Sequence, residues 1–380
     1  MAKKLSTLFF STLKKVARQQ RKAMKLARPV ARSTTSRGSP SKPRKAAATV
    51  ATRGLAPAIT PLTKEGLPPP GKGSWQTFVH KPQTGVLWGG LTFYLYRPAG
   101  LSLAGRPLVI MLHGCRQTSH EFALGSRMNR LADSKGFVVA YPQQSKRIQS
   151  MQCWRWFQPQ RAQGLAEADA IADLARMLVS KYRLDASRVY VAGLSAGAGM
   201  AALTVLRHPE QFAAAALHSG VVVGAAHSST AGLRIMRKGA DGDLRALVNP
   251  LVGGSAVAGS SSFAKTNSAD AGQFPGMPVM ILHGQRDHIV SSRNALQLAE
   301  QFSYLNDTSA IKDSVLARGT HREYVRQDFL KGGRIMVRLG LIKEVGHAWS
   351  GGDARLKFHS AKGPSASVLI WAFFAMHSRE

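Results

Sequence analysis

Ser195 stands in Gly193-Leu194-Ser195-Ala196-Gly197, directly after the apolar run Val189-Tyr190-Val191-Ala192. A serine hydroxyl is a poor nucleophile at neutral pH and needs a base within hydrogen-bond reach. Gly-x-Ser-x-Gly between a strand and a helix offers it a sharp turn, in which small flanking residues leave the hydroxyl room. The pattern alone is weak in a chain with 36 glycines. Its context strengthens it: Arg188 to Val191 reads as a buried strand, and Ala198 to Leu206 reads as a helix of small and apolar residues. Two further residues complete a charge-transfer set. Asp287 lies in the loop after the apolar run Ile281-Leu282, placed to hold an imidazole tautomer. His347, in Gly346-His347-Ala348-Trp349-Ser350-Gly351-Gly352, follows the last expected strand, and its glycine neighbours suit a loop entering a cleft. The chemistry of such a set is acyl transfer.

Other histidines compete for the base. His218 in Leu217-His218-Ser219-Gly220 is the strongest rival because it too ends a strand; it reads as a satisfied polar group near the cleft. His283 reads as structural and His288 as a loop residue, while His359 and His377 lack the strand-end context. An oxyanion needs two N–H donors. The expected donors are Ala196, after the nucleophile, and Cys115, in His113-Gly114-Cys115-Arg116. Trp154, Trp156 and Trp349 are candidates to line an acyl or alcohol pocket, with plain packing the competing reading.

These residues need strands to end beside one another. Leu91–Tyr96, Pro107–Leu112, Phe137–Pro142, Val189–Ala192, Phe212–Leu217, Pro278–Leu282 and Arg334–Ile342 read as strands; Glu121–Ser134, Leu165–Tyr182, the segment after Ser195 and Ser365–His377 read as helices. Alternation of this kind predicts an α/β class with a mostly parallel central sheet and helices on both faces, as in the α/β-hydrolase fold. Residues 224–273, rich in Gly, Ser and Ala, read as an irregular cap insertion in a catalytic domain spanning 74–380.

The remainder of the chain differs. Of 52 Lys and Arg residues, 16 fall within residues 1–64, which hold no acid; the first is Glu65. The net charge is +32 over 380 residues. Within residues 1–32, Leu5, Leu8, Phe9, Leu13 and Val16 share one helical face opposite Lys4, Lys14, Lys15, Arg18, Arg21, Lys22 and Lys25. Such a basic amphipathic segment suits an anionic membrane, a lipid- or protein-coated granule, or a nucleic acid. A cleaved targeting peptide is disfavoured because Ser11 and Thr12 interrupt its apolar stretch. Residues 33–73 have the composition of a disordered linker. No run approaches a membrane span. Two cysteines, Cys115 and Cys153, are too few for a disulfide framework and lack zinc spacing; whether they pair is left open.

Several motifs now coincide. His113-Gly114-Cys115, Tyr141-Pro142-Gln143, Cys153-Trp154-Arg155-Trp156-Phe157, Arg188 to Gly197, His218-Ser219-Gly220 and Gly346 to Gly352 together resemble the polyhydroxybutyrate depolymerase family of esterases, relatives of feruloyl and acetylxylan esterases. The resemblance runs from Leu91 to the C-terminus, excluding 224–273. It implies an α/β-hydrolase with Ser195, Asp287 and His347 as triad, an ester substrate, and no metal or cofactor. It also implies an extracellular location, which would allow a Cys115–Cys153 bridge, although the N-terminus has no clear signal peptide and leaves a cytoplasmic location open. Arg155 stands where the family usually has Asn, and Gly197-Ala198-Gly199 replaces Gly-Gly-Ala. The absence of a polymer-adsorbing domain after Glu380 makes a soluble oligoester or small acyl ester at least as good an expectation as solid polymer. Rival readings are a serine peptidase on the same fold and a binder of anionic surfaces acting through the tail.

Overall fold

The computed structural model describes residues 71–82, 90–158, 162–253 and 274–380. The basic amphipathic segment, nearly all of the linker and residues 254–273 lie outside the described residues. A ten-stranded sheet runs in the order β1-β2-β4-β3-β5-β6-β7-β10-β9-β8. Its strands are β1 (Ser74–His80), β2 (Leu91–Arg97), β3 (Leu108–Leu112), β4 (Val138–Pro142), β5 (Val189–Leu194), β6 (Ala214–His218), β7 (Val279–Gly284), β8 (Ala310–Leu316), β9 (Tyr324–Lys331) and β10 (Arg334–Ile342). The six central strands, β4 to β10 in spatial order, are all parallel. Antiparallel pairs flank them on both sides, β1 and β2 on one and β9 and β8 on the other. β3 to β7 are buried on both faces, which is why their sequences are near-continuous apolar runs. β8, an edge strand, has no fully buried residue and carries Lys312 and Asp313 at its centre. A short parallel pair, β11 (Trp349–Ser350) and β12 (His359–Ser360), closes the loop beyond β10.

Alternation along the strands divides the core. Val109 and Met111 of β3 and Tyr190, Ala192 and Leu194 of β5 share one face. They pack with Phe122 of α1 (Ser119–Ser126), Met128 of α2 (Met128–Lys135), and Ile370, Phe373 and Phe374 of the last helix (Ala366–Phe374). Elsewhere α3 (Ala162–Tyr182) and α4 (Ala196–Arg207) pack on β3, and α4 also on β5 and β6.

The expected helix over Glu121–Ser134 is two helices. α1 starts on a Thr118–Glu121 capping box and stops at Arg127, whose φ of 59° is left-handed, before α2 begins. Gly125 is bare because a Cβ there would lie 2.2 Å from the His359 ring. The region expected to be irregular also contains two helices, α5 (Ser229–Lys238), capped by Ser228, and α6 (Leu244–Val248), capped by Asp243. Only Gly232 and Ile235 of α5 are buried. A further helix, α7 (Arg293–Leu305), packs on β7 and β10, and the last helix is α8. No described helix is long and apolar enough to cross a membrane.

Candidate active site

Each functional side chain sits just beyond the carboxyl end of a parallel strand. β5 ends at Leu194, and Ser195 turns the chain into α4 with φ 57° and ψ −118°. A non-glycine residue held there is strained, and such strain gathers at functional sites. The flanking glycines permit the turn: a Cβ on Gly193 would lie 2.3 Å from the Gly197 carbonyl carbon, and one on Gly197 would lie 2.1 Å from the Leu112 oxygen. The Ser195 N–H donates to the His218 carbonyl at 2.9 Å, pinning the elbow to β6. The side chain is almost wholly enclosed.

Across the sheet, Leu194, His218, Leu282 and Gly340 lie in one row of β5, β6, β7 and β10. Asp287 follows β7 by three residues and His347 follows β10 by five. His347 Nδ1 and Asp287 Oδ2 are 2.7 Å apart. The other Asp287 oxygen accepts the N–H groups of Ile289 and Val290 at 2.9 and 2.8 Å. Burial alone would raise the Asp287 carboxyl; the hydrogen bond and charge of His347, with help from His283 and Val290, outweigh it and hold the group ionised below its ordinary range. Backbone bonds lock the two loops together: Gln285 N–H donates to Ile342 and Arg286 N–H to Val345. Gly284 allows this contact, since a Cβ there would meet the Val345 oxygen at 2.2 Å.

His218 and His283 do not act as rivals in this geometry. The His218 ring is fully buried, stacks on Trp349, accepts from the Ser350 N–H at 3.3 Å and bonds Ser219. Burial first, and repulsion from neighbouring histidines second, lower it to about 3. His283 is buried behind Asp287, 3.5 Å from its carboxylate, with Nε2 bonded to the Val290 carbonyl.

Opposite the acid–base pair, residues 113–117 run against the elbow; a Cβ on Gly114 would lie 3.5 Å from the Ser195 Cβ. Among the described residues, neither the Cys115 N–H nor the Ala196 N–H has a protein acceptor, and Ala196 opens α4, where the helix dipole adds positive potential. The loop is anchored from outside. A disulfide joins Cys115 to Cys153. Arg116 N–H donates to Met151, Trp154 Nε1 to the His113 carbonyl, and Gln117 takes the Gly114 N–H and gives to Lys357. His113 is buried, lowered to about 4 chiefly by desolvation, and accepts the Gln144 N–H.

Comparison with known proteins fits this geometry. Residues 91–327 match the Esterase PHB depolymerase family model, a stretch that contains Ser195 and Asp287 and stops short of His347. The chain belongs to the Esterase PHB depolymerase family. Poly(3-hydroxyalkanoate) depolymerase C of Paucimonas lemoignei is 32% identical over 231 residues, 60% of this chain and 52% of that protein. A probable acetylxylan esterase A of Neosartorya fischeri is 36% identical over 145 residues, 37% of this chain and 38% of that protein. The chain thus spans about half, or less, of the curated relatives it matches. An acetyl xylan esterase from Aspergillus awamori superposes with a TM-score of 0.59, covering 80% of this chain and 100% of that one at 21% identity. The fold is that of the α/β-hydrolases.

In this member of the family the tryptophans are not placed as expected. Trp349 is 0% exposed and Trp154 1%, so neither lines an open pocket. Trp349 carries His218 on its face and donates to Ser367 Oγ; Trp154 braces His113. Trp156 is also buried, packed with Ala196, Val221 and Val222. It explains Gly199, where a Cβ would fall 2.8 Å from its ring. Arg155 turns back on its own loop, its Nη2 donating to the Ile148 carbonyl at 2.9 Å.

Glu167 escaped the sequence reading. It lies on α3, its carboxylate buried, accepting from the Arg155 N–H at 2.7 Å and from Gln144 Nε2 at 2.8 Å. Desolvation raises it to about 7 against these hydrogen bonds. It is the root of the segment that carries Cys153 and Trp154. No sequence signal marks it, because a lone acid in a long amphipathic helix reads as solvated. Among the described residues no cluster is arranged to hold a metal ion.

Proposed function

We propose that the protein is a serine esterase acting through an acyl-enzyme. Ser195 Oγ attacks an ester carbonyl while His347 Nε2 takes its proton; Asp287 receives the Nδ1–H and stabilises the imidazolium. The N–H groups of Ala196 and Cys115 hold the oxyanion. His347 then protonates the leaving alkoxide, and later serves again as base for the water that releases the acid. The observation that carries this reading is the 2.7 Å pair between His347 and an ionised, doubly capped Asp287, on the same sheet edge as the strained Ser195. No step calls for a metal or cofactor.

The substrates we favour are hydroxyalkanoate oligomers or polymers, or small acyl esters. Support comes from the relatives' names and from three exposed apolar side chains on segments bordering the site: Met151, Leu233 and Ile289. An acetylated or feruloylated polysaccharide is the second reading, supported by the acetylxylan esterase similarity. The disulfide favours an oxidising compartment. The basic N-terminal segment is proposed as an electrostatic anchor to an anionic surface. The test is hydrolysis of p-nitrophenyl esters of increasing acyl length beside a soluble hydroxybutyrate oligomer, using wild type and Ser195→Ala. Folded wild type should turn over and the variant should lose nearly all activity; equal inactivity would remove the esterase reading, and strong amide turnover would favour a peptidase. Deleting residues 1–64 tests the anchor through salt-dependent binding to anionic vesicles.

A further inference from the structure

A second concavity, of about 460 Å³, opens beside α2, the loop beyond His347 and the start of α8. Three arginines line it, and no carboxylate does. Arg127 comes from the left-handed joint between α1 and α2, Arg130 from α2, and Arg322 from the turn between β8 and β9. Among the described residues none of the three guanidinium groups is in a salt bridge or donates a hydrogen bond. Asp353 feels Arg127, but its carboxylate is held by both a side-chain nitrogen pair and the backbone N–H of Arg355. The three arginines therefore line one concavity without a paired carboxylate among the described residues.

The walls are built rather than accidental. Gly363 N–H donates to His321, Gly351 N–H to Lys362 and Gly352 N–H to Ser360, tying three chain segments into one rim. The floor includes Ser365 and Ser367, the N-cap and second residue of α8. The Ser367 hydroxyl is already engaged, accepting from Trp349 Nε1 and donating to the Ser126 carbonyl, so the arginines are the charged donors of this space. Arginine forks are the donors that recognise planar or tetrahedral oxyanions.

We propose that this concavity is a binding site for a small oxyanion, a phosphate or carboxylate group, separate from the Ser195 site. The shared chemistry is a compact group of two or more oxygens bearing negative charge; a free acid and a phosphate ester both present it. The site is independent of the esterase reading, because none of its arginines touches Ser195, Asp287 or His347 in any hydrogen bond or ion pair described.

The test is calorimetric titration of the full-length chain, at constant ionic strength, with inorganic phosphate and separately with sodium 3-hydroxybutyrate, and with chloride as reference. Wild type should bind one oxyanion per chain above the chloride background. The pair Arg130→Gln with Arg322→Gln should weaken that binding about tenfold or more. The same variant should keep its thermal midpoint and its ester turnover, both arginines being exposed. Preference for phosphate identifies a phosphate source and preference for hydroxybutyrate a carboxylic acid; either supports the site. Many weak sites per chain, or equal affinity in the variant, would mean diffuse attraction to a chain of net charge +32 and would overturn it.

Discussion

Asp287 and His347, the proposed acid and base, hang from two short loops, residues 285–290 and 343–349, that leave neighbouring parallel strands and bond to each other through the main chain. Across the site, the loop carrying the Cys115 N–H has one main-chain bond to another segment, from the Arg116 N–H to Met151. It is held by a disulfide to Cys153, by Trp154, by Gln117 reaching Lys357 240 residues away, and, one layer further out, by Glu167 on α3. Strand order brings both halves to one sheet edge, since Cys115 follows β3 as Asp287 follows β7; the Cys115 loop is in addition cross-linked to distant residues. The difference teaches that two loops leaving adjacent strands can brace each other, whereas a loop without such a partner is braced by side chains from elsewhere in the chain.

Breaking the first half chemically should have the largest effect. Asp287→Asn leaves the loops' backbone bonds in place but removes the charge that fixes the His347 tautomer. The expected loss in kcat is about 10⁴-fold, with KM little changed, and the thermal midpoint should move far less; a small loss would show that His347 does not depend on Asp287. On the second half, replacing Cys115 and Cys153 together by Ala leaves both backbone N–H groups present but frees the loop. Losing one oxyanion donor outright costs about 10²–10³ in kcat, so the loss expected is at most of that order. The closed loop spans a sequence separation of 38, for which chain entropy gives a stability loss of up to about 4 kcal/mol. Ester kinetics and urea denaturation of the same variant separate the two effects. Unchanged kcat would mean that noncovalent anchors suffice.

The comparison also explains what the sequence revealed. The placement of Ser195, Asp287 and His347 on one sheet edge was legible because each follows an apolar run that reads as a parallel strand, and strand ends in such a sheet share one edge. Glu167 was illegible because its burial depends on Gln144 and the Arg155 N–H, residues whose proximity only the fold establishes. Trp349 and Trp154 misled for the same reason: an aromatic beside a catalytic motif looks like a pocket wall, yet these two lie under the loops they brace. The break at Arg127 was hidden because a left-handed residue that is neither Gly nor Asn leaves no mark in the sequence. The antiparallel strand β9 lacked clean periodicity, since buried polar residues such as Asp328 and Gln327 interrupt it.

Gly284→Ala probes the seam of the acid–base half. The added Cβ meets backbone oxygen at 2.2 Å, not the end of a movable side chain, so the loop bearing His347 must shift. A cost of about 1–3 kcal/mol is expected from such overpacking, with kcat falling more than KM rises. A variant with full stability and kcat would show that the two loops are not pressed together at Gly284.

The smallest effect distinguishes the halves by the sign of their response to pH. Asp287 is held below its ordinary range, so its contribution to stability is present above the unfolded pKa and is lost as pH falls through the folded one. Glu167 is the reverse, raised from 4.5 to about 7. Between those values the unfolded chain has released its proton while the native chain keeps it, so stability declines as pH rises, and the loss is complete above about 7. The upper size of this loss is about 3 kcal/mol, from 1.36 kcal/mol per pH unit. Glu167→Gln keeps an oxygen for the Arg155 N–H and removes the titration. Urea denaturation at pH 5 and pH 8 should therefore show wild type losing more stability than the variant over that interval, with the variant's kcat on a short-chain ester flatter across the same range. Identical slopes would mean that Glu167 is ionised at both pH values, held by Gln144 and Arg155 strongly enough to cancel its burial, and the oxyanion half would then share the pH response of the acid–base half.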